Sequence, residues 1–439
     1  MYLSRTEKNK RRKKKKGKKG PLQNRVWVLL NVTLIAAILV LGTYYYVEER
    51  FGQGSEQTTQ GDISSDNLGN NTPSEPIISE TQESEEGAPN VAENGSVAEE
   101  PELNSGSDQG EEDLQPDEGA KADETLLFHF AGDTMFSDRV AQTLKIEGYE
   151  YPFKHISELF QKDDLSMVNL ETPVTSFGTK AEDKTFVFKS LPEILPFVAN
   201  SGIDAVNLAN NHILDQGVEG LLDTISHLKE NDIKYVGAGK DADEAYAPLY
   251  IERKGIKIAI CGFSRVIPKV DWAAGKGKPG VATTYDPARA LKAIQTAKEH
   301  ADLVLVMVHW GKERTTILEK HQTSLAHDYI DAGADLVIGG HPHVMQGIEQ
   351  YKGKWIAYST GNFIFTKNAK VPDTWETAVF ETKCTREGAC DLKLIPYLTE
   401  LGQPVPMNSE DGTKLLRRVE SLSEGVKISD AGEVTSTSP

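Results

Sequence analysis

Three apolar runs dominate this chain: "IAICGFS" (258–264), "DLVLVMVHWG" (302–311) and "DLVIGGHPH" (335–343). A strand with one wet face alternates apolar and polar residues, whereas an unbroken run needs burial on both faces. Around these runs lie "GVEGLLDTISHLKEN" (217–231), "PARALKAIQTAKEHA" (287–301) and "QTSLAHDYIDAGA" (322–334), whose apolar residues recur at helical spacing. "PEILPFVANSG" (192–202) is a further helix, stopped by Gly202. Strand and helix alternate, so the chain is α/β, with sheets covered by helices. Other strands are expected at 126–133, 164–173 and 203–212. A hairpin is expected around Lys254-Gly255, and "YKGKWIAYSTGNFIF", "TAVFETKC" and "CDLKLIPYL" read as strands on short turns, which makes the sheets mixed. The last helix falls at 412–425, leaving 426–439 as a polar, disordered tail.

The charge is −18, unevenly spread. The first 19 residues carry eleven Lys or Arg, and residues 51–124 carry twenty Asp or Glu. Between them, residues 26–47 contain no charge, with Trp27 at one end and Tyr44, Tyr45 and Tyr46 at the other. That length spans a hydrocarbon core of roughly 30 Å as a helix, with aromatic rings at its interfaces. A cleavable signal peptide fits less well, because the run is long and no small-x-small site follows it. Upstream cations keep the N-terminus (1–25) in the cytoplasm and put the remainder outside the cell membrane. Beside a span, that basic head suits topology and anionic lipid better than nucleic acid. Residues 48–124 lack apolar residues enough for a core and read as a disordered acidic linker. The folded domain is then 125–425. Of three cysteines, Cys261 sits in an apolar strand, while Cys384 and Cys390 flank a short turn where an external location permits a disulfide.

Successive strands end on polar groups: Asp133 in "AGD", Glu171 in "VNLE", Asn210, Asn211 and His212 in "NLANNH", His309 in "MVHWG", His341 and His343 in "GGHPH", and Asn362 in "STGN". In open α/β sheets ligands gather at the carboxyl ends of strands. Carboxylate, amide and imidazole donors at one crevice suit a borderline divalent metal. The Gly-Gly before His341 permits close approach and an unusual turn, and Pro342 fixes the backbone between the histidines. They are paired ligands, or one ligand and one oriented helper. His212 is placed to protonate a leaving group, and Glu171 to bridge two ions. Arg139, Lys189 and Arg265 are cations near loops that can hold an anionic substrate. Each also has a plain reading as a solvated surface charge, preferred for Arg139.

"FAGDTM", "VNLETPV", "NLANNHILDQG", "VMVHWGKE", "DAGADLVIGGHPHVMQGIE" and "IAYSTGNFIF" resemble, in order, the CapA family of poly-γ-glutamate capsule-synthesis proteins, and through it the calcineurin-like metallophosphoesterases. The resemblance implies a four-layer α/β/β/α sandwich and a membrane-associated complex that makes and exports the polymer. It implies Asp133, Glu171, Asn211 (or Asn210), His309, His341 and His343 as metal ligands, with His212 as the catalytic imidazole. Mn, Zn or Fe, as one or two ions, would be the cofactor. Asn362 joins Lys189 and Arg265 as an expected substrate contact. One departure matters: the metallophosphoesterase pattern usually has a histidine two residues after the aspartate, and Met135 stands there. A thioether is a poor partner for such an ion.

Two functions follow. One is an extracellular component of poly-γ-glutamate synthesis, working with membrane-embedded synthase subunits and contacting the polymer. The other is a metal-dependent hydrolase of a phosphoester or γ-glutamyl amide.

Overall fold

A computed structural model describes residues 125–437, except 183 and 368. The expected basic head, span and linker lie outside the described residues. Among the described residues no helix is long and apolar enough to cross a membrane.

Two mixed sheets carry the fold. One path runs Val426–Ile428, Glu433–Ser436, Leu392–Glu400, Glu376–Cys384, Leu126–Thr134, Leu165–Leu170, Ala205–Asn207 and Lys234–Val236, with Asn362–Ile364 and Gln403–Pro406 attached beside it. The other runs Ile348–Tyr351, Lys354–Ala357, Leu336–Gly340, Leu303–His309, Ile256–Ser264 and Leu249–Arg253. In each sheet the strands nearest the site are parallel: Leu126–Thr134, Leu165–Leu170 and Ala205–Asn207 in the first, and Ile256–Ser264, Leu303–His309 and Leu336–Gly340 in the second. The expected hairpin turns at Lys254 and Gly255, both at positive φ.

The apolar runs explain the layering. All seven residues of Leu303–His309 are buried. Because side chains alternate along a strand, Leu303, Leu305 and Met307 join one cluster with Leu126, Phe128, Phe130, Ile258 and Ile260 from both sheets. Val304, Val306 and Val308 join another with Ala290, Ile294 and Ala297 of the helix Ala288–His300. On the first sheet, Val168 and Val206 meet Leu221, Ile225 and Leu228 of the helix Gly217–Glu230. Each fully buried aliphatic side chain contributes about 1.5–3 kcal/mol.

Two cysteines, Cys384 and Cys390, are disulfide-bonded, and Cys261 is free and buried. The tail expected at 426–439 is a correction: Val426–Ile428 and Glu433–Ser436 are strands. Val426, Ile428 and Val434 enter the core between the sheets, and Leu392 pairs with Val434. Strands this short carry little periodic signal, and their pairing partner lies far back in the sequence. The last helix, Ser409–Ser421, starts where the Asn408 side chain accepts from the Asp411 N–H at 2.9 Å.

Candidate metal centre

Register levels the strand ends. Asp133 pairs with Asn169 and Asn362, Asn169 with Asn207, and His309 with Gly340 and Ser264. The two sheets approach closely here, since a Cβ on Gly340 would lie 2.9 Å from Asp133 Oδ1; within the second sheet, one on Gly339 would lie 2.2 Å from the Tyr358 carbonyl oxygen. Neither position tolerates a larger side chain without movement.

Asp133 and Glu171 are fully buried. Asp133 is engaged: Oδ1 accepts from Asn169 Nδ2 at 2.8 Å, and Oδ2 accepts from the His341 N–H at 3.2 Å. Glu171 is different, because among the described residues neither of its oxygens has a hydrogen-bond partner. Its Oε1 instead lies 3.6 Å from His309 Nε2, 3.9 Å from His343 Nε2 and 4.0 Å from His212 Nε2. Burial, and then the Asp133 charge, push its carboxyl well above the usual carboxylate range. A buried carboxylate without donors is costly unless a cation compensates it.

The imidazoles close around it. His309 Nε2 lies 2.9 Å from Asn211 Oδ1 and 3.1 Å from His341 Nδ1. Burial, with neighbouring imidazoles adding to it, pushes His309 well below its ordinary value and His341 to about 3. Both rings are therefore neutral donors of a lone pair. Burial also opposes the charge on His343, but Glu171 and Asp133 outweigh it and raise it to about 9. The His343 Nδ1 lies 2.9 Å from Asn362 Oδ1 and 3.1 Å from Asp133 Oδ2. Two acceptors fix its proton on Nδ1 and leave Nε2 facing Glu171.

The glycines of "GGHPH" act by close approach alone. Positive φ falls instead on His341 (94°) and His343 (58°). A non-glycine residue there stores strain of about 1–3 kcal/mol, so the unusual turn is made by the functional residues themselves.

His212 stands at the edge, its Nδ1 2.7 Å from Asp215 Oδ2 and 2.9 Å from Lys184 Nζ, with Phe188 against its ring at 4.4 Å. Burial pushes it down despite Asp215. Lys184 also donates to Asp215 and to the Asn211 carbonyl, and its ammonium lies 5.0 Å from the Trp272 ring centre. Asn210 faces away: its Nδ2 donates to Asn169 Oδ1 and to the Leu170 carbonyl, and its Oδ1 accepts from the His212 N–H.

Sequence reasoning missed Asn169, Lys184 and Asp215. Asp215 was legible as an acid three residues after His212. Asn169 lies inside a strand, and Lys184 lies in a loop without periodicity, so neither had a signal.

Three expected substrate contacts have protein partners of their own. Lys189 Nζ donates to the Ser176 and Phe177 carbonyls, 3.0 and 3.3 Å away. Arg265 stacks on Tyr285, 3.9 Å from the ring centre. Asn362 is buried and orients His343, donating its other end to the Thr374 carbonyl. Arg139 reaches the Lys367 carbonyl at the surface. The cation beside His212 is Lys184.

The donor set fits a divalent cation. Glu171, His309 and His341 form one group, and Asp133, Glu171 and His343 another, with the ligand atoms of each within 4.8 Å of one another. Imidazole nitrogen, carboxylate and an amide oxygen suit borderline ions.

Residues 127–367 match the family described as bacterial capsule synthesis protein PGA_cap. The chain is 33% identical over 296 residues to the capsule biosynthesis protein CapA of Bacillus anthracis, covering 66% of this chain and 71% of that one. It is 32% identical over 291 residues to the PGA biosynthesis protein CapA of Bacillus subtilis (strain 168), covering 66% and 76%. Among solved structures it is similar to the NAD nucleotidase of Haemophilus influenzae, at a TM-score of 0.39 and 14% identity over 70% of this chain and 57% of that one. At those values the likeness carries no argument about function.

Proposed function

This chain belongs to the bacterial capsule synthesis protein PGA_cap family, and from that premise we propose that it serves in poly-γ-glutamate capsule synthesis and export. Residues 26–47 hold it at the cell membrane beside synthase subunits, with the folded domain outside, in contact with the polymer. The Cys384–Cys390 disulfide supports an oxidising location. The fold is a four-layer sandwich of the metallophosphoesterase kind, a reading supported by the two sheets packed on one core and covered by helices.

The observation that carries the site is Glu171: a fully buried carboxylate without hydrogen-bond donors, ringed by imidazoles. Asp133, Glu171, Asn211, His309, His341 and His343 would hold one or two ions of Mn, Zn or Fe. A divalent ion bound there supplies Lewis acidity and water of lowered pKa. Asp133 and Asn362 orient His343, and Asn169 holds Asp133.

The His212–Asp215 pair favours a second reading, hydrolysis of a phosphoester or γ-glutamyl amide. Asp215 accepts from the Nδ1–H, so Nε2 turns its lone pair toward the cluster, where it can take a proton from a group bound there and return it to a leaving group. The test is complementation of a deletion strain with wild type or His212→Ala. Altered polymer amount or length in the variant supports catalysis. Wild-type polymer from a variant expressed at wild-type level contradicts it and leaves the capsule role standing.

A further inference from the structure

Glu313 lies outside both donor groups just described, yet its carboxylate shares a third group with His341 and His343, whose ligand atoms lie within 4.8 Å of one another. Both imidazoles are buried, and Glu313 is exposed, so it stands where the cluster meets solvent. Backbone contacts hold it there. The Trp310 N–H donates to the Gly340 carbonyl at 3.1 Å, and the Arg314 N–H donates to the Pro342 carbonyl at 2.7 Å. Gly311 and Arg314, at φ of 86° and 59°, curl the segment over the His341–Pro342–His343 turn. The Trp310 ring anchors its base, with Nε1 2.8 Å from the Tyr358 carbonyl.

We infer that Glu313 is a further cation ligand, closing the solvent side of the carboxylate–imidazole cluster. The inference rests on that cluster holding a cation. Its charge argument is direct. Two dications against Asp133 and Glu171 leave an excess of positive charge in a poorly solvated site, beside Lys184, and a third carboxylate reduces it. Met135, buried two residues beyond Asp133, offers only a thioether on its side. Among the described residues Glu313 also has no stronger commitment to oppose this role. Its ion-pair partner is the adjacent Arg314 at 3.9 Å, with both side chains about half exposed, and such a pair contributes little.

The experiment is a Mn(II) titration of the purified full-length chain, with free Mn(II) read by electron paramagnetic resonance, for wild type, Glu313→Gln and Glu313→Asp. Glu313 is exposed, so the variants should fold, and equal melting of the chelator-treated proteins checks this. The weakest class of Mn(II) sites is expected to lose roughly tenfold or more in affinity in Glu313→Gln, with Glu313→Asp between it and wild type. A Glu313→Gln isotherm that overlays wild type overturns the inference and leaves the cluster's own cation binding intact. A wild-type protein that binds no Mn(II) overturns the cluster reading beneath it.

Discussion

The two sheets furnish the site differently. The first sheet and its loops supply oxygen: Asp133, Glu171 and Asn211, braced by a lattice of amides in which Asn169 Oδ1 accepts from Asn207 and Asn210 at 3.1 and 3.2 Å. The second sheet supplies nitrogen: His309, His341 and His343, two of them held on backbone at positive φ. Hydrogen bonds fix Asp133 in the oxygen half and leave Glu171 without donors, while in the nitrogen half the surrounding fold holds His341 and His343 on strained backbone. Side-chain lattices are therefore expected to matter for stability, and strained histidines for ligand capture.

The largest effect should come from the lattice. Asn169→Ala removes the donor to Asp133 and the acceptor for two amides, all buried. It should cost roughly 2–4 kcal/mol in urea unfolding. A loss no greater than that of an exposed Asn200→Ala control would break the comparison.

A smaller effect joins the halves. In the metal-free protein the folded-state value for His343 is raised to about 9 from 6.5. Its contribution is therefore fully present below about pH 6.5 and lost as pH rises through about 9. Chelator-treated wild type should weaken over that window relative to a His343→Gln variant. Parallel pH profiles for the two proteins would remove the Asp133–Glu171–His343 coupling from the account.

The smallest effect should have the opposite sign. His341→Gly relieves a backbone at φ 94° and should raise metal-free stability by about 1 kcal/mol, whereas His309→Gly, in a regular strand, should lower it. If both lower stability equally in chelator-treated melts, the nitrogen half is not strained.

The comparison also explains what was legible in the sequence. Strand ends could be read because unbroken apolar runs mark doubly covered strands, and parallel register then levels whatever follows them. His309, His341, His343, Asp133 and Glu171 stood out for that reason. Asn169 did not, because a polar residue near the end of "VNLE" looks like ordinary strand chemistry until its neighbours across the sheet are known. Lys184 outranks Lys189 at the site through a loop conformation that no local pattern encodes. The unusual turn expected of the Gly-Gly pair falls on His341 and His343 instead, since sequence favours glycine for such conformations and only tertiary packing can impose them elsewhere. The final two strands were missed because their partner, Leu392–Glu400, is supplied by the fold.

The central claim is that a donor-free buried Glu171, with its imidazoles, marks a cation site. Its most direct test is elemental analysis of the purified full-length chain after dialysis against Mn(II) or Zn(II), beside Asp133→Ala and His341→Ala. The account predicts one or two equivalents of metal in wild type and a clear fall in both variants, with helical and sheet content retained. A folded wild-type protein without bound metal, or variants that keep the wild-type content, would contradict it.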